Sequence, residues 1–285
     1  MIDAALVVQG GGTRGAFAAG VLDVLMEEGL SFTDVYGTSA GALTACNFIS
    51  GDLGRSRYIV TELMGDRRFI SVGHFLMTGN LFNFKYLFRV VPKKKSPFNE
   101  DAFFRSPVNF YAVSTCLEDG TVAYLPKTAN RNKTYRCLAS SASLPLFSKP
   151  VKIDGKKYLD GGQLAPFPYK KPLSENKEKI VIILTREFGF VQPTVKEKTA
   201  RKALRKYRKY PEFVQSYIHS AEVFNRDMRE VEELEKQGRV FVIRPDIPPT
   251  VGIAERDMKK LEELYEQGKE ACRRRIAALR VYLDA

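Results

Sequence analysis

The chain has 285 residues, of which 44% are hydrophobic, and a formal net charge of +12. This length accommodates one large α/β domain or two small ones. The sequence contains no run of about 18 apolar residues, so no transmembrane helix is predicted. The amino terminus lacks the basic start of a signal peptide. The four cysteines form no Cys-x-x-Cys pair, so neither a disulfide framework nor a zinc site is predicted, and a reducing cytoplasm is expected.

The amino-terminal half predicts strands that alternate with helices. Apolar runs indicate the strands, and small or periodic apolar residues indicate the helices. The predicted strands cover residues 4–9, 33–38, 109–115 and 121–125, and the predicted helices cover residues 14–28, 40–50, 53–65 and 134–144. Between residues 69 and 110 the pattern is irregular and rich in phenylalanine.

The second half continues with a hairpin around Asp154-Gly155 and then with charged helices. The hairpin strands cover 151–153 and 156–159, further strands cover 179–185 and 239–244, and helices cover 196–209, 212–237 and 255–283. This alternation predicts a three-layer α/β/α sandwich with a mainly parallel central sheet. We expect a single domain over 1–285, with its motifs at about 4–170 and a charged helical part at about 190–285.

The excess positive charge is concentrated in Lys93–Lys95 and in a basic segment over 196–209. A solvated helix face accounts for such a segment without any partner. Anionic lipid headgroups are the next candidate, since each basic residue near such a surface contributes about 1 kcal/mol. Nucleic acid is not expected as a partner, because no nucleic-acid-binding motif accompanies these residues.

The segment Gly37-Thr38-Ser39-Ala40-Gly41 joins a predicted strand to a predicted helix. Gly-x-Ser-x-Gly at such a turn is typical of a nucleophile elbow, in which the glycines leave room for a sharp turn that exposes the serine hydroxyl. The start of the following helix favours developing negative charge. Ser39 is therefore the candidate nucleophile, and a plain helix-capping serine is the alternative.

A glycine-rich loop, Gly10-Gly11-Gly12-Thr13-Arg14-Gly15, follows the first predicted strand. Its Gly-x-Gly-x-x-Gly pattern also occurs in dinucleotide-binding folds, which carry an acidic residue at the end of the second strand. Asp34 follows the glycine loop at about the right distance in the sequence, but it lies at the start of that strand. Arg14 is also atypical of a pyrophosphate-binding loop. In a hydrolase, N–H groups around Gly11, Gly12 and Thr13 would form an oxyanion hole, to which Arg14 could add charge.

Histidine is the usual base for a nucleophilic serine, yet the chain has only His74 and His219. His219 lies inside a predicted helix, where a triad histidine is not expected, and His74 lies in the aromatic segment. Asp160 ends a predicted strand and precedes Gly161-Gly162, whose permissive backbone can direct the carboxylate into a cleft. Asp160 is therefore the candidate base, with a plain turn residue, as in Asp154-Gly155, as the alternative.

Together these motifs resemble the patatin-like phospholipase family. The resemblance covers Leu6 to about Pro168 and includes a weaker match at residues 139–145. It implies a patatin-like fold, a catalytic dyad of Ser39 and Asp160, an oxyanion loop at residues 10–15 and lipid acyl esters as substrates. It implies no metal and no organic cofactor. The charged carboxy-terminal part carries no motif that matches the family.

The sequence thus predicts a serine acyl hydrolase that cleaves fatty acyl esters of phospholipids or other lipids. The alternatives are a carboxylesterase or thioesterase for short acyl groups, a dinucleotide-binding protein that uses residues 10–15, and a catalytically silent lipid-binding module. The aromatic segment 69–110 is the candidate acyl-chain groove or mobile cover, with a purely structural core as the alternative. Its Phe82, Phe84 and Phe88 stand near basic residues, a combination that suits peripheral contact with an anionic membrane.

Overall fold

The computed structural model of the protein describes residues 1–284. Its eight strands are β1 (Ile2–Val8), β2 (Phe32–Thr38), β3 (Asn109–Cys116), β4 (Val122–Pro126), β5 (Val151–Ile153), β6 (Lys156–Asp160), β7 (Ile180–Ile183) and β8 (Phe241–Ile243). They form one sheet in the order β5-β6-β3-β2-β1-β7-β8, with β4 also paired to β3. The pairs from β3 through β2, β1 and β7 to β8 are parallel, and β4, β5 and β6 add antiparallel pairs.

Twelve α-helices in the same residues connect and cover the strands. They are α1 (Gly15–Glu27), α2 (Ala40–Ser50), α3 (Arg55–Val60), α4 (Val72–Thr78), α5 (Val91–Lys94), α6 (Glu100–Arg105), α7 (Arg131–Ser141), α8 (Lys170–Ser174), α9 (Glu197–Lys206), α10 (Pro211–Ile218), α11 (Ser220–Lys236) and α12 (Met258–Asp284). Helices α1, α2, α7, α9 and α12 lie within about three residues of their predicted positions, whereas α4, α5, α6 and α8 were not predicted from the sequence. The helix predicted over 53–65 is only α3, followed by a 3₁₀ turn at Leu63–Gly65.

The charged helix predicted over 212–237 is two helices, α10 and α11, which join at His219. The buried residues on the two helices explain the break. Phe213 on α10 packs in a cluster with Leu159 of β6, whereas Phe224 on α11 packs against buried residues of β1 and β7. The helix is interrupted at His219, between the residues that join the two clusters.

Helices cover both faces of the sheet, which confirms the predicted α/β/α sandwich. Alternate residues of β1 point to opposite faces. Leu6 and Val8 join a buried cluster with α1, α2 and α12, while Ala5 and Val7 join a second cluster with α11. Because both faces are buried, residues 4–8 of this strand are continuously apolar, as is typical of parallel sheets.

The edges of β3 determine where the predicted catalytic residues lie. β4 pairs with residues 111–115 of β3, β2 pairs with residues 109–113, and β6 pairs with residues 114–116. A strand has only two edges, and β4 overlaps the pairing of both other strands. β2 and β6 therefore share the remaining edge of β3 and approach each other along it.

The carboxyl ends of β2 and β6 meet at this edge. Thr38, the last residue of β2, lies opposite Val113, and Asp160, the last residue of β6, lies opposite Ser114. β1 runs parallel to β2 on its other side, so the loop that follows β1 emerges at the same end of the sheet. Three distant stretches of chain thus converge at one point.

The last helix packs against the amino-terminal part of the molecule. Leu261 and Leu264 of α12 are buried in the same cluster as Leu22 of α1. A single domain over residues 1–285 stays a prediction. Among residues 1–284, the structure contains no helix that is both long enough and apolar enough to cross a bilayer.

Candidate active site

Ser39 lies at the turn between β2 and α2 and has a strained backbone. Its φ is 56° and its ψ is −125°, and such a conformation costs a residue other than glycine about 1–3 kcal/mol. The flanking glycines leave room for this turn, because a Cβ on Gly41 would lie 2.4 Å from the Val8 carbonyl oxygen and one on Gly37 would lie 2.6 Å from Ala42 Cα. The backbone therefore has the shape expected of a nucleophile elbow.

A second serine fixes the position of the elbow. The Ser39 N–H donates to Ser141 Oγ at 2.9 Å, and the Ser141 hydroxyl donates to the Val113 carbonyl oxygen at 2.6 Å. Ser141 is the last residue of α7 and is fully buried. It lies in the serine- and alanine-rich stretch before Asp160, where its positioning role could not be assigned from the sequence.

Asp160 ends β6 and is only 3% exposed. Its Oδ1 accepts a hydrogen bond from the Gly162 N–H at 2.7 Å, in the 3₁₀ turn that starts at Gly161. Its Oδ2 is buried and has no hydrogen-bond partner within residues 1–284. Burial raises the pKa of Asp160 to about 6, although Ser39 and the Gly162 N–H favour the carboxylate and limit the rise.

Ser39 and Asp160 line the same cavity, which has a volume of about 310 Å³. Ser39 is near enough to lower the pKa of the Asp160 carboxyl, although Oδ2 accepts no hydrogen bond from the described residues. Hydrogen bonds between catalytic groups are often long until a substrate is bound. The structure thus brings together the hydroxyl and the carboxylate that the sequence singled out.

The glycine loop after β1 lies beside this pair. The Gly10 N–H donates to the Pro166 carbonyl at 3.0 Å, the Thr13 N–H donates to the Ile253 carbonyl at 3.1 Å, and Arg14 and Gly15 donate within the loop. Within residues 1–284, the N–H groups of Gly11 and Gly12 have no such partner. This narrows the candidate oxyanion donors to Gly11 and Gly12, because the N–H of Thr13 is already occupied.

A second, apolar cavity opens from the same serine. It has a volume of about 50 Å³, and Ser39, Gly12 and Leu144 line both cavities. The other side chains around it are almost all apolar: Leu43, Ile59, Val60, Met64, Phe69, Phe82, Phe84 and Ala142. Part of the aromatic segment that the sequence marked as an acyl-chain groove therefore lies against the nucleophile.

Comparison with known proteins identifies the family. The model of the patatin-like phospholipase family matches residues 6–173, which is more than half of the chain. The chain belongs to the patatin-like phospholipase family. A second model, for a domain of unknown function (DUF6363), matches residues 210–284.

Two similar curated proteins are uncharacterized. YjjU of Escherichia coli (strain K12) is 33% identical over 186 residues, which cover 64% of this chain and 51% of YjjU. YqhO of Bacillus subtilis (strain 168) is 24% identical over 199 residues, which cover 61% of this chain and 68% of YqhO. The matched part of the chain thus spans about half the length of YjjU.

Among solved structures, VipD from Legionella pneumophila aligns with 99% of this chain and 67% of its own. The TM-score is 0.51 and the sequence identity is 12%. At this identity the likeness shows a shared fold and nothing more specific.

Both histidines of this patatin-like protein lie outside the two cavities at Ser39. His219 is exposed at the junction of α10 and α11, where its Nδ1 lies 3.1 Å from Glu222 Oε2. His74 lies on α4, a short helix on the surface. The arrangement favours the carboxylate of Asp160 over either imidazole as the partner of Ser39.

Asp34, the acidic residue that a dinucleotide-binding protein would need, lies near the start of β2. Its carboxylate contacts Lys177 Nζ at 2.8 Å and accepts a hydrogen bond from Asn109 at 3.0 Å. These contacts are at the end of the sheet opposite to the glycine loop. The structure therefore gives no support to the dinucleotide-binding alternative.

Arg14 lies half-buried on the wall of the polar cavity, and its Nε is buried with no partner within residues 1–284. Desolvation, together with repulsion from Arg186, lowers the pKa of Arg14 to about 10. The guanidinium remains charged at neutral pH. It adds positive potential to the cavity that holds Ser39 and Asp160.

Sequence reasoning missed a contact between the glycine loop and the segment before α12. Thr13 Oγ1 donates to the Gly252 carbonyl at 2.7 Å and accepts from the Glu255 N–H at 3.1 Å. Together with the bond from the Thr13 N–H to Ile253, these contacts fasten the loop to residues that lie far away in the sequence. No local pattern in either segment indicates this pairing.

Proposed function

We propose that the protein is a serine acyl hydrolase that cleaves fatty acyl esters of phospholipids and related lipids. The observation that carries the proposal is the meeting of Ser39, Asp160 and the free N–H groups of Gly11 and Gly12 at the ends of β2, β6 and β1. A nucleophile, a base and an oxyanion hole are the groups that acyl transfer requires. Membership of the patatin-like phospholipase family supports the same class of substrate.

In the proposed reaction, Ser39 Oγ attacks the ester carbonyl carbon while its proton moves to Oδ2 of Asp160. The carbonyl oxygen becomes an oxyanion, which accepts hydrogen bonds from the Gly11 and Gly12 N–H groups. The bond to the leaving alcohol then breaks, and Asp160 returns the proton to that alcohol. Water, deprotonated by the same carboxylate, hydrolyses the acyl-enzyme and releases the fatty acid.

An aspartate can serve as the base because its carboxylate is buried. An ordinary aspartate has a pKa of about 3.9 and is a weak base. Burial raises the pKa of Asp160 to about 6, which is close to the range that favours general-base catalysis at neutral pH. The carboxylate is still mostly ionised at pH 7 and can accept the proton.

The two cavities at Ser39 would hold different parts of the proposed substrate. The apolar cavity beside Val60 and Phe69 suits the acyl chain, and the polar cavity beside Arg14 and Asp160 suits the alcohol part. The apolar cavity has a volume of only about 50 Å³, and this favours a second candidate function, the hydrolysis of short acyl esters or thioesters. Longer chains would require the surrounding phenylalanines to move.

A fluorophosphonate probe combined with a panel of esters tests the proposal. We expect covalent labelling at Ser39, loss of labelling in Ser39→Ala, and release of fatty acid from phospholipids. Turnover confined to short nitrophenyl esters or thioesters would favour the second candidate. Lipid binding without labelling would contradict both enzymatic functions and support a silent lipid-binding protein.

A further inference from the structure

Helix α4 exposes an unusual amount of apolar surface. Val72, Leu76 and Met77 are 65%, 77% and 81% exposed. Single exposed apolar residues are common on protein surfaces, but a contiguous cluster marks an interaction site. Phe75 of the same helix packs against Phe147, with ring centroids 6.3 Å apart.

Helix α4 adjoins the mouth of the active site through the contact between Phe75 and Phe147. Phe147 is 49% exposed and lines the polar cavity that contains Ser39 and Asp160. The Leu81 N–H, just after α4, donates to the Phe147 carbonyl at 2.8 Å. A surface that covered α4 and Phe147 would therefore face the entrance to the cavity.

A basic helix flanks the same segment. Lys206 Nζ of α9 donates to the Leu146 carbonyl at 3.1 Å, and the Leu146 N–H donates to the Tyr207 hydroxyl at 2.9 Å. The basic residues on and next to α9 are exposed: Lys196, Lys198, Arg201, Lys202, Arg205, Lys206, Arg208 and Lys209. An apolar helix and a basic helix thus border the mouth of the site through adjacent residues.

We propose that α4, Phe147 and α9 form a docking face for an anionic lipid bilayer. The apolar side chains of α4 and Phe147 would enter the boundary between headgroups and acyl chains, while the charges of α9 contact the headgroups. The net charge of +12 complements such a surface. The face differs from the one suggested by Phe82 and Phe84, which line the internal apolar cavity.

This inference rests on the proposed function, because a docked enzyme would meet its lipid substrate at the mouth of the cavity. Vesicle binding by Ser39→Ala separates the two proposals. If the inactive variant binds as the wild type does, the docking face stands whatever the catalytic assays give. If only binding fails while phospholipid hydrolysis persists, the docking face is wrong and the enzyme assignment survives.

The first experiment measures co-sedimentation with vesicles of phosphatidylglycerol and phosphatidylcholine. The double variant Leu76→Asn with Met77→Asn should bind about tenfold more weakly or worse, since two apolar side chains no longer gain from burial. Its turnover of a soluble nitrophenyl ester should equal that of the wild type. Val281→Asn removes an apolar side chain that is 70% exposed on α12, away from α4; this control variant should bind normally.

The second experiment tests the charge component. Lys202→Gln with Arg205→Gln should reduce binding to the anionic vesicles by about tenfold at low salt and leave weak binding to pure phosphatidylcholine unchanged. The control double variant, Lys236→Gln with Arg239→Gln, removes the same charge before β8, at the opposite end of the sheet. Equal losses in the two double variants would overturn the proposal.

The alternative partner for this face is a second copy of the chain, and sedimentation velocity tests it. If α4 instead contacted a second copy of the chain, sedimentation velocity would show a dimer that dissociates in the Leu76→Asn, Met77→Asn variant. That result, or vesicle binding unaffected by the variant, would exclude a bilayer as the partner.

Discussion

The amino-terminal region, residues 1–173, and the carboxy-terminal region, residues 190–284, contribute to the site in different ways. The first supplies Ser39, Asp160 and the glycine loop, each at the carboxyl end of a strand. The second supplies side chains and carbonyls that reach the site from outside, including Tyr217 and Ile253. The difference indicates that the residues of the proposed chemistry lie in the part of the chain that matches the family. Access to the cavity at Ser39 and the position of the glycine loop depend on the residues that follow it.

The largest expected effect tests whether the chemistry lies entirely in the amino-terminal region. Asp160→Asn should lower kcat by about 10³-fold, since general-base catalysis typically contributes about 10²–10⁴-fold. The wild-type rate should rise with pH through about 6 and then level off, because Asp160 must be ionised to accept the proton. Steady-state kinetics from pH 4.5 to pH 9 measure both effects.

The control for this variant lies in the other region. His219→Ala should keep the wild-type kcat, because His219 is exposed and contacts Glu222 outside the cavities. A folded His219→Ala protein without activity would show that the carboxy-terminal region supplies the base and would reverse the assignment of Asp160.

The second prediction concerns the free-energy cost of burying the charged carboxylate of Asp160. The pKa of Asp160 is about 6 in the folded state, above its ordinary value of 3.8. The folded state therefore holds the proton more tightly, and the wild type loses this contribution to stability as the pH rises from about 4 through 6. Asp160→Asn should raise the free energy of unfolding by about 3 kcal/mol at pH 8 and by almost nothing at pH 4.

Chemical denaturation at both pH values measures this difference. Asp154→Asn is the control, because Asp154 lies in the exposed hairpin turn and its ion pair with Lys133 is on the surface. If Asp160→Asn raised the free energy of unfolding equally at pH 8 and pH 4, burial of the charged carboxylate would not be the cause.

The parts of the site visible in the sequence are those that depend on local backbone. Ser39 and Asp160 could be singled out as candidates because a sharp turn needs glycines next to the residue that it exposes. The helices beyond residue 190 could be predicted from their periodicity, but the bend at His219 could not, because it depends on two separate buried clusters. Contacts such as that of Thr13 with Gly252 are set by tertiary packing and leave no local pattern.

The third prediction tests the link between the two regions. Thr13→Val removes the hydrogen bonds of Oγ1 to Gly252 and Glu255 and keeps the shape of the side chain. With the loop less firmly held, Gly11 and Gly12 should stabilise the oxyanion less well. We expect kcat to fall about tenfold with little change in KM, since a lost oxyanion donor costs about 10²–10³-fold and here both donors remain.

Thr13→Ser keeps the hydroxyl and should restore most of the activity. The midpoint of thermal unfolding should be measured for both variants to exclude global destabilisation. Equal activity in the valine and serine variants would mean that the carboxy-terminal region does not position the loop.

The smallest expected effect concerns selectivity for the length of the acyl chain. This selectivity should depend on the amino-terminal region, because all residues that line the apolar cavity belong to it. Val60→Phe adds a bulky ring to a cavity of about 50 Å³ and should leave the acetyl ester nearly unaffected. The ratio of kcat/KM for octanoyl to acetyl nitrophenyl esters should fall about fivefold, equivalent to the loss of about 1 kcal/mol of apolar contact. Val191→Phe, at an exposed position in the carboxy-terminal region, should leave the ratio unchanged. If both variants changed the ratio equally, the acyl chain would not occupy the cavity beside Ser39, and selectivity would have to arise elsewhere.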